Sequence, residues 1–321
     1  MFDKSERARI EVMASTRLTR SEVTELAADY VSSGSAQAVQ PCVAQLVRVA
    51  FAAPWDIVEI FDAFERGYLG SAAGLPIDLS AARRAPLKLD RTFWDAFWSV
   101  VDPAEPSRDA LDFTARVASL GQFLDPNFVL AAADASILYP DVHSAAVSGE
   151  PDYFQISELS RSPVGSLANE FYRMITQNGF DLEVLDREQL GLKHLPYPLD
   201  FINAKMLQIH DVWHIVAGYE TTSLHEVGVS AFQLAQCGHS YSAKFLAVVV
   251  TSALRSPEGL KVLLDVVFTA WRHGRSSPPL ISVDWREIWS RPLKEVRAEL
   301  GLQPYESPYP ADLVERIRAA S

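Results

Sequence analysis

The residues of this chain best equipped for chemistry are His210, Asp211, His214 and Glu226. His210 and His214 stand four positions apart, so on a helix their imidazoles share one face. Asp211 sits on the flank of that face, and eleven residues separate His214 from Glu226. Two imidazoles and two carboxylates form a mixed N2O2 set able to hold one divalent cation. Zinc is the first expectation, with Fe(II), Mn or, with water completing the shell, Mg as alternatives; the ligand types do not choose among them. The pattern is not that of a zinc protease, because Asp211 stands where that motif needs a glutamate base. The plainer alternative makes each histidine a hydrogen-bonded core residue and Glu226 a helix-capping partner of Ser223.

Those side chains need a helix, a stop and a return. Ile202, Met206, Ile209, Trp213 and Val216 recur at spacings of four and three, which predicts a buried amphipathic helix. Each histidine follows a stripe residue by one position, about 100° round the helix, at the edge of the core. Gly218 predicts the stop, where positive φ is free to glycine. Ser223-Leu224-His225-Glu226 reads as a capping box that opens a second helix. A short turn between them implies an αα-hairpin. His214 and Glu226 then lie level, each about one turn, ~5 Å, from the bend.

Helical signals dominate the rest of the chain. Thr19 and Glu22 form a capping box ahead of Val23–Val31, Ala36–Ala53 reads as a helix around Pro41, and Trp55–Tyr68 as another ended by Gly70. A loop over Ser71–Lys88 precedes an aromatic helix at Phe93, Trp94, Phe97 and Trp98. Further helices are expected at Ser107–Phe123, Pro126–Leu138, Ala243–Leu254 and Pro257–Arg272. No repeat period, phosphate loop or alternating strand series is present. The fold class is therefore all-α, a multi-helix bundle carrying a metal-binding αα-hairpin. Tyr139–Pro163, rich in proline and glycine, divides the chain into an N-terminal helical region, 1–150, of unassigned role and a metal-binding region, 151–321, unless the two form one continuous domain.

Composition narrows the function class. With 321 residues, 48% of them hydrophobic and 22% charged, the chain builds a sizeable core and is not disordered. A net charge of −12 argues against a nucleic-acid partner, whose phosphates require a basic face. Arg272, Arg275 and Arg286 offer a local basic patch, for a lipid surface or a substrate carboxylate. Cys42 and Cys237 form no disulfide framework. The N-terminus lacks an apolar signal region, and the longest apolar run, Phe245–Val250, is far short of a ~20-residue span. The expectation is a cytoplasmic protein without signal peptide or transmembrane helix that visits the membrane surface.

The His-Asp-x-x-His-x11-Glu pattern resembles that of the coenzyme Q (ubiquinone) biosynthesis family containing the fourth-numbered yeast protein of that pathway. The flanks are similar too: Phe171-Tyr172-Arg173 with Asn178-Gly179 upstream, and Ala270-Trp271-Arg272-His273-Gly274-Arg275 downstream. So is the closing segment, Trp285-Arg286-Glu287, Arg291-Pro292-Leu293 and Val296–Gly301. The resemblance runs from about Tyr153 to Leu302.

This resemblance implies a metal held by His210, Asp211, His214 and Glu226, an apolar cavity for a polyprenyl tail, and peripheral attachment to a membrane. It implies oxidative decarboxylation with C1 hydroxylation of a polyprenylated 4-hydroxybenzoate precursor. Asp211 or Glu226 is then a catalytic candidate for moving a proton, and Tyr172, Arg173, Arg272 and Arg275 are candidates for substrate contact. Expected partners are the polyprenylated benzoate or quinone precursor, other ubiquinone biosynthesis proteins, the membrane surface and, in addition, a second copy in a homodimer. Two rivals remain. One is a non-catalytic lipid-binding scaffold that organises the biosynthetic complex. The other is a metal-dependent phosphohydrolase, which would need His143, His239 and Asp265 as further ligands.

Overall fold

The computed structural model describes residues 1–105, 107–149, 154–182, 188 and 190–320. Among them the regular structure is helical throughout. In the N-terminal half α1 spans Lys4–Ser15, α2 Arg20–Ser33, α3 Ala36–Phe51, α4 Ile57–Leu69, α5 Arg91–Val101, α6 Ala110–Ser119, α7 Phe128–Ser136 and α8 Val142–Ser148. Then come α9 Ile156–Leu159, α10 Leu167–Asn178, α11 Leu199–Ala217, α12 Ser223–Cys237, α13 Ser240–Ala253 and α14 Pro257–Ser276. The C-terminal segment carries α15 Trp285–Ile288, α16 Leu293–Leu300 and α17 Leu313–Ala320. No helix among the described residues is long and apolar enough to cross a membrane.

Several starts and stops follow the expected local chemistry. Thr19 and Glu22 exchange both capping-box hydrogen bonds, and Gly70 ends α4 at φ 79°. A second capping box, Asp3 with Glu6, opens α1, which the apolar pattern had not marked. Pro41 lies inside α3, one turn from its start. The Tyr139–Pro163 stretch carries α8 and α9, and its residues 150–153, with the expected 150/151 boundary, lie outside the described residues.

A single buried apolar cluster reaches from Phe2 to Tyr305. Helix α3 packs against α13, and α4 against α14. Polar ties reinforce the second contact. Arg272 Nε donates to Glu65 Oε1 at 2.6 Å, and Arg275 donates to Asp62 at 3.2 Å and to the Leu75 carbonyl at 2.6 Å. Trp271 Nε1 also reaches Asp62, at 2.9 Å. Helix α14 packs closely on α12 because Gly274 has no side chain. A Cβ there would lie 2.7 Å from Ala235 Cβ and 2.8 Å from the Phe232 carbonyl.

Candidate metal centre

The helical hairpin forms as α11 and α12, and its two ends are secured by residues far along the chain. Helix α11 stops at Gly218, with φ 79°, where an added Cβ would meet Pro304 Cβ at 2.9 Å. Its last carbonyls are all used. Arg297 donates to Ile215 O at 2.6 Å and Val216 O at 2.9 Å, and the Tyr305 N–H donates to Ala217 O at 2.7 Å. The guanidinium also places positive charge at the negative end of the helix.

The start of α12 corrects the capping-box expectation. Thr222 occupies the N-cap and Ser223 is already the first helical residue, so the expected Ser223–Glu226 exchange is absent. The Ser223 N–H is instead taken by Glu315 Oε1 of α17 at 2.9 Å, and Thr222 Oγ1 donates to Ala311 O at 2.8 Å. The Glu226 carboxylate is thereby free to face α11.

It faces the two histidines. Glu226 Oε2 lies 3.4 Å from His210 Nε2, Glu226 Oε1 lies 3.3 Å from His214 Nε2, and the two Nε2 atoms are 3.1 Å apart. These spacings suit a common cation. Ligands ~2.05 Å from a tetrahedral zinc stand about 3.3 Å from one another, and neighbours in an octahedral magnesium shell about 2.9 Å. His214 is buried at 1% exposure, whereas the side chains of His210 and Glu226 are 28% and 42% exposed, so one side of the triangle opens to solvent.

Each imidazole is held from behind. His214 Nδ1 lies 3.3 Å from the Tyr219 carbonyl; donating there leaves Nε2 as the lone-pair nitrogen of the cluster. Tyr219 stacks on Tyr305 with ring centres 4.5 Å apart, and its hydroxyl donates to His273 Nδ1 at 2.9 Å. His273 Nε2 in turn donates to Gln303 O at 2.8 Å. On the other side, His210 Nδ1 meets Gln233 Nε2 at 2.5 Å.

The electrostatics couple the three groups. Burial works to raise the Glu226 carboxyl, but His214 and His210 override it and hold it well below the usual carboxylate range. Burial opposes charge on His210, yet Glu226 and Asp211 raise it above an ordinary imidazole. Burial lifts Asp211 above its ordinary value despite both histidines nearby. A cation entering here would meet a carboxylate favoured in its charged form and would compete with the proton for His210.

The structure gathers His210, His214 and Glu226; the Asp211 carboxyl is not in that group. The remaining candidates lie elsewhere. Arg173 is exposed on α10, paired at 3.4 Å with Glu170, and Tyr172 is half-buried beside it. Arg272 and Arg275 are engaged by Glu65 and Asp62. The phosphohydrolase ligands do not assemble: His143 pairs with Tyr197 near the surface, His239 with Ser242, and Asp265 with Tyr68, Tyr309 and Lys261. Sequence reasoning missed Tyr219, Gln233, His273 and Glu315 as supports. Only His273 carried a signal, inside the Arg272-His273-Gly274 segment.

Beside the hairpin, an open groove of about 410 Å³ is lined by apolar Phe154, Ile156, Phe180 and Leu182 and by polar Gln155, Ser157 and Asp181. Gln208, two residues before His210, grips the Phe154 backbone at both ends, at 2.6 Å and 3.2 Å.

Residues 147–306 match the family model described as Coenzyme Q (ubiquinone) biosynthesis protein Coq4. The chain is similar to the rat protein named Ubiquinone biosynthesis protein COQ4 homolog, mitochondrial, at 27% identity over 46% of this chain and 55% of that one. It is similar to the Zygosaccharomyces rouxii protein named Ubiquinone biosynthesis protein COQ4, mitochondrial, at 25% identity over 59% of this chain and 57% of that one. A solved Nostoc punctiforme chain aligns at 23% identity and a TM-score of 0.48, over 65% of this chain and 96% of its own. The match spans little more than half the length of these curated relatives.

Proposed function

Because residues 147–306 belong to the coenzyme Q (ubiquinone) biosynthesis family Coq4, we propose that this chain acts in ubiquinone biosynthesis as a metal-dependent oxidative decarboxylase. Its substrate is a polyprenylated 4-hydroxybenzoate precursor. The ring carbon C1 loses its carboxyl as CO2 and gains a hydroxyl whose oxygen comes from water, and the two electrons and two protons released pass to dioxygen, giving hydrogen peroxide, or to an external two-electron acceptor.

The observation that carries the reading is a ligand triangle with one open side, formed by His210, His214 and Glu226. Structural metal sites are closed, whereas catalytic ones keep a position for substrate or water. The near-tetrahedral spacing favours zinc; Fe(II), Mn and Mg remain in the test. When bound, the cation supplies Lewis-acid polarisation of a carboxylate.

Around it the chain's own groups divide the work. By donating Nδ1–H to the Tyr219 carbonyl, His214 turns the lone pair of Nε2 into the triangle. Asp211, whose carboxyl burial holds above its ordinary value, is proposed to give or take a proton there. The groove beyond Gln208 suits the apolar tail, with Phe154 and Phe180 against it. Tyr172 and Arg173 are proposed to meet the head group. Arg272 and Arg275 would have to leave their carboxylates to do so, so their role is bracing. The chain works peripherally at a membrane surface with other proteins of the pathway, as a monomer or homodimer.

The test is turnover by purified protein of known metal content, given prenylated 3-methoxy-4-hydroxybenzoate in micelles with air. CO2 release with gain of a C1 hydroxyl, lost in folded His210→Ala and Glu226→Ala proteins, is the expected result. Tight substrate binding without turnover under any metal or oxidant would replace the enzyme by a lipid-binding scaffold.

A further inference from the structure

The nitrogen of His210 that faces away from the triangle is tied to a buried line of polar side chains. Gln233 lies two helical turns beyond Glu226, so α12 presents both from one face. Its Nε2 is 2.5 Å from His210 Nδ1, and its Oε1 accepts from Ser242 Oγ at 3.1 Å. Ser242 Oγ is in turn 2.9 Å from His239 Nδ1. Gln233, Ser242 and His239 are buried, at 3%, 0% and 8% exposure.

A buried amide costs free energy unless both ends are hydrogen-bonded, and here both ends are used. The line is also reversible. With the amide nitrogen toward the ring, His210 Nδ1 accepts and its proton sits on Nε2. Ser242 then donates to Oε1 and accepts from His239 Nδ1–H. A half-turn of the amide exchanges its oxygen and nitrogen, which are nearly the same shape. His210 Nδ1–H now donates to Oε1, Nε2–H donates to Ser242, and Ser242 donates to His239 Nδ1. Each of the three hydrogen bonds from His210 to His239 persists in both settings, with its direction reversed. Only the second turns the His210 Nε2 lone pair into the triangle, as a metal ligand requires.

We propose that Gln233, seated by Ser242 and His239, is the positioning residue that sets the tautomer of His210 and turns over when a cation enters. The function of the turnover rests on the metal reading; the control of the tautomer does not.

The experiment is side-chain 15N–13C NMR on histidine-labelled full chain at pH 8, with and without zinc, beside calorimetric zinc titration. Wild type is expected to hold His210 as Nε2–H and His239 as Nδ1–H without metal, and both are expected to switch together with zinc. Gln233→Leu should lose the Nε2–H preference and about 10- to 100-fold in zinc affinity. Gln233→Glu, which still accepts from Nδ1–H, should stay within a few-fold of wild type. Ser242→Ala should release His239 from the switch, and it carries the test if Gln233→Leu does not fold. An unchanged His210 tautomer in Gln233→Leu, or in Ser242→Ala a His239 that still switches, overturns the inference whatever zinc does. A wild type that binds no zinc but loses its His210 tautomer in Gln233→Leu upholds the positioning role and removes the metal reading instead.

Discussion

Glu315 Oε1 accepts the Ser223 backbone N–H at 2.9 Å, so the last helix caps the helix that carries Glu226. This relationship decides what Glu226 is for. In a capping box its carboxylate would fold back onto its own helix; with Glu315 taking the Ser223 N–H, it crosses to His210 and His214 instead.

Replacing Glu315 by Ala should therefore act on stability and on the site together. Loss of a cap costs about 1 kcal/mol, read by urea melts. Zinc affinity should fall as well, because Glu226 is then drawn toward the vacated N–H. Glu315→Gln keeps the acceptor and should preserve affinity; equal zinc binding in Glu315→Ala would separate the cap from the site.

Metal should raise thermal stability, and chelation should remove the gain. At free zinc 100 times its Kd the gain is about 2.7 kcal/mol. Scanning calorimetry with elemental analysis should show one zinc per chain, abolished by His214→Ala, His210→Ala or Glu226→Ala. Asp211 lies outside the triangle, so Asp211→Asn should keep its zinc and lose turnover. Loss of zinc in Asp211→Asn would restore it as a fourth ligand.

Stability should fall as acid reaches His239. Burial, then His210 and Lys244, push this imidazole down to about 3, against ~6.5 in an unfolded chain. Between those pH values the unfolded chain binds one more proton there, so stability is full above about pH 6.5 and declines as pH drops toward 3. The slope from this one group is about 1.4 kcal/mol per pH unit. His239→Asn should flatten urea-melt stability against pH by that amount; an unchanged slope would show that His239 is not the acid-sensitive group.

Arg275 should matter for folding before it matters for substrate. It is 8% exposed and donates to Asp62 and to the Leu75 carbonyl. Arg275→Met leaves Asp62 with only Trp271 and should cost about 3–5 kcal/mol in chemical denaturation. Adding Asp62→Asn should recover much of that. A stable Arg275→Met protein with weakened substrate binding would return Arg275 to the substrate site.

The amino-acid order by itself determined the hairpin and the sharing of one helix face by its two histidines. The stripe through Ile209 and Trp213, the stop at Gly218 and the i, i+4 histidines are local patterns, set by helical period and by the left-handed backbone that glycine permits. The all-α class follows for the same reason. What the tertiary structure alone decided are relations between residues distant along the chain. Glu315 caps α12 from 92 positions away, Arg297 closes α11 from 81, and Gln233 reaches back 23 positions to His210. Asp211 has a carboxylate suited to a cation and sits beside His210, yet its carboxyl stays out of the triangle. Arg272 and Arg275 look like free cations in one dimension and are claimed by Glu65 and Asp62 about 200 residues earlier,. Periodicity reports which face a side chain is on; it carries no record of which neighbour arrives there, because that depends on packing between helices with no fixed spacing in sequence.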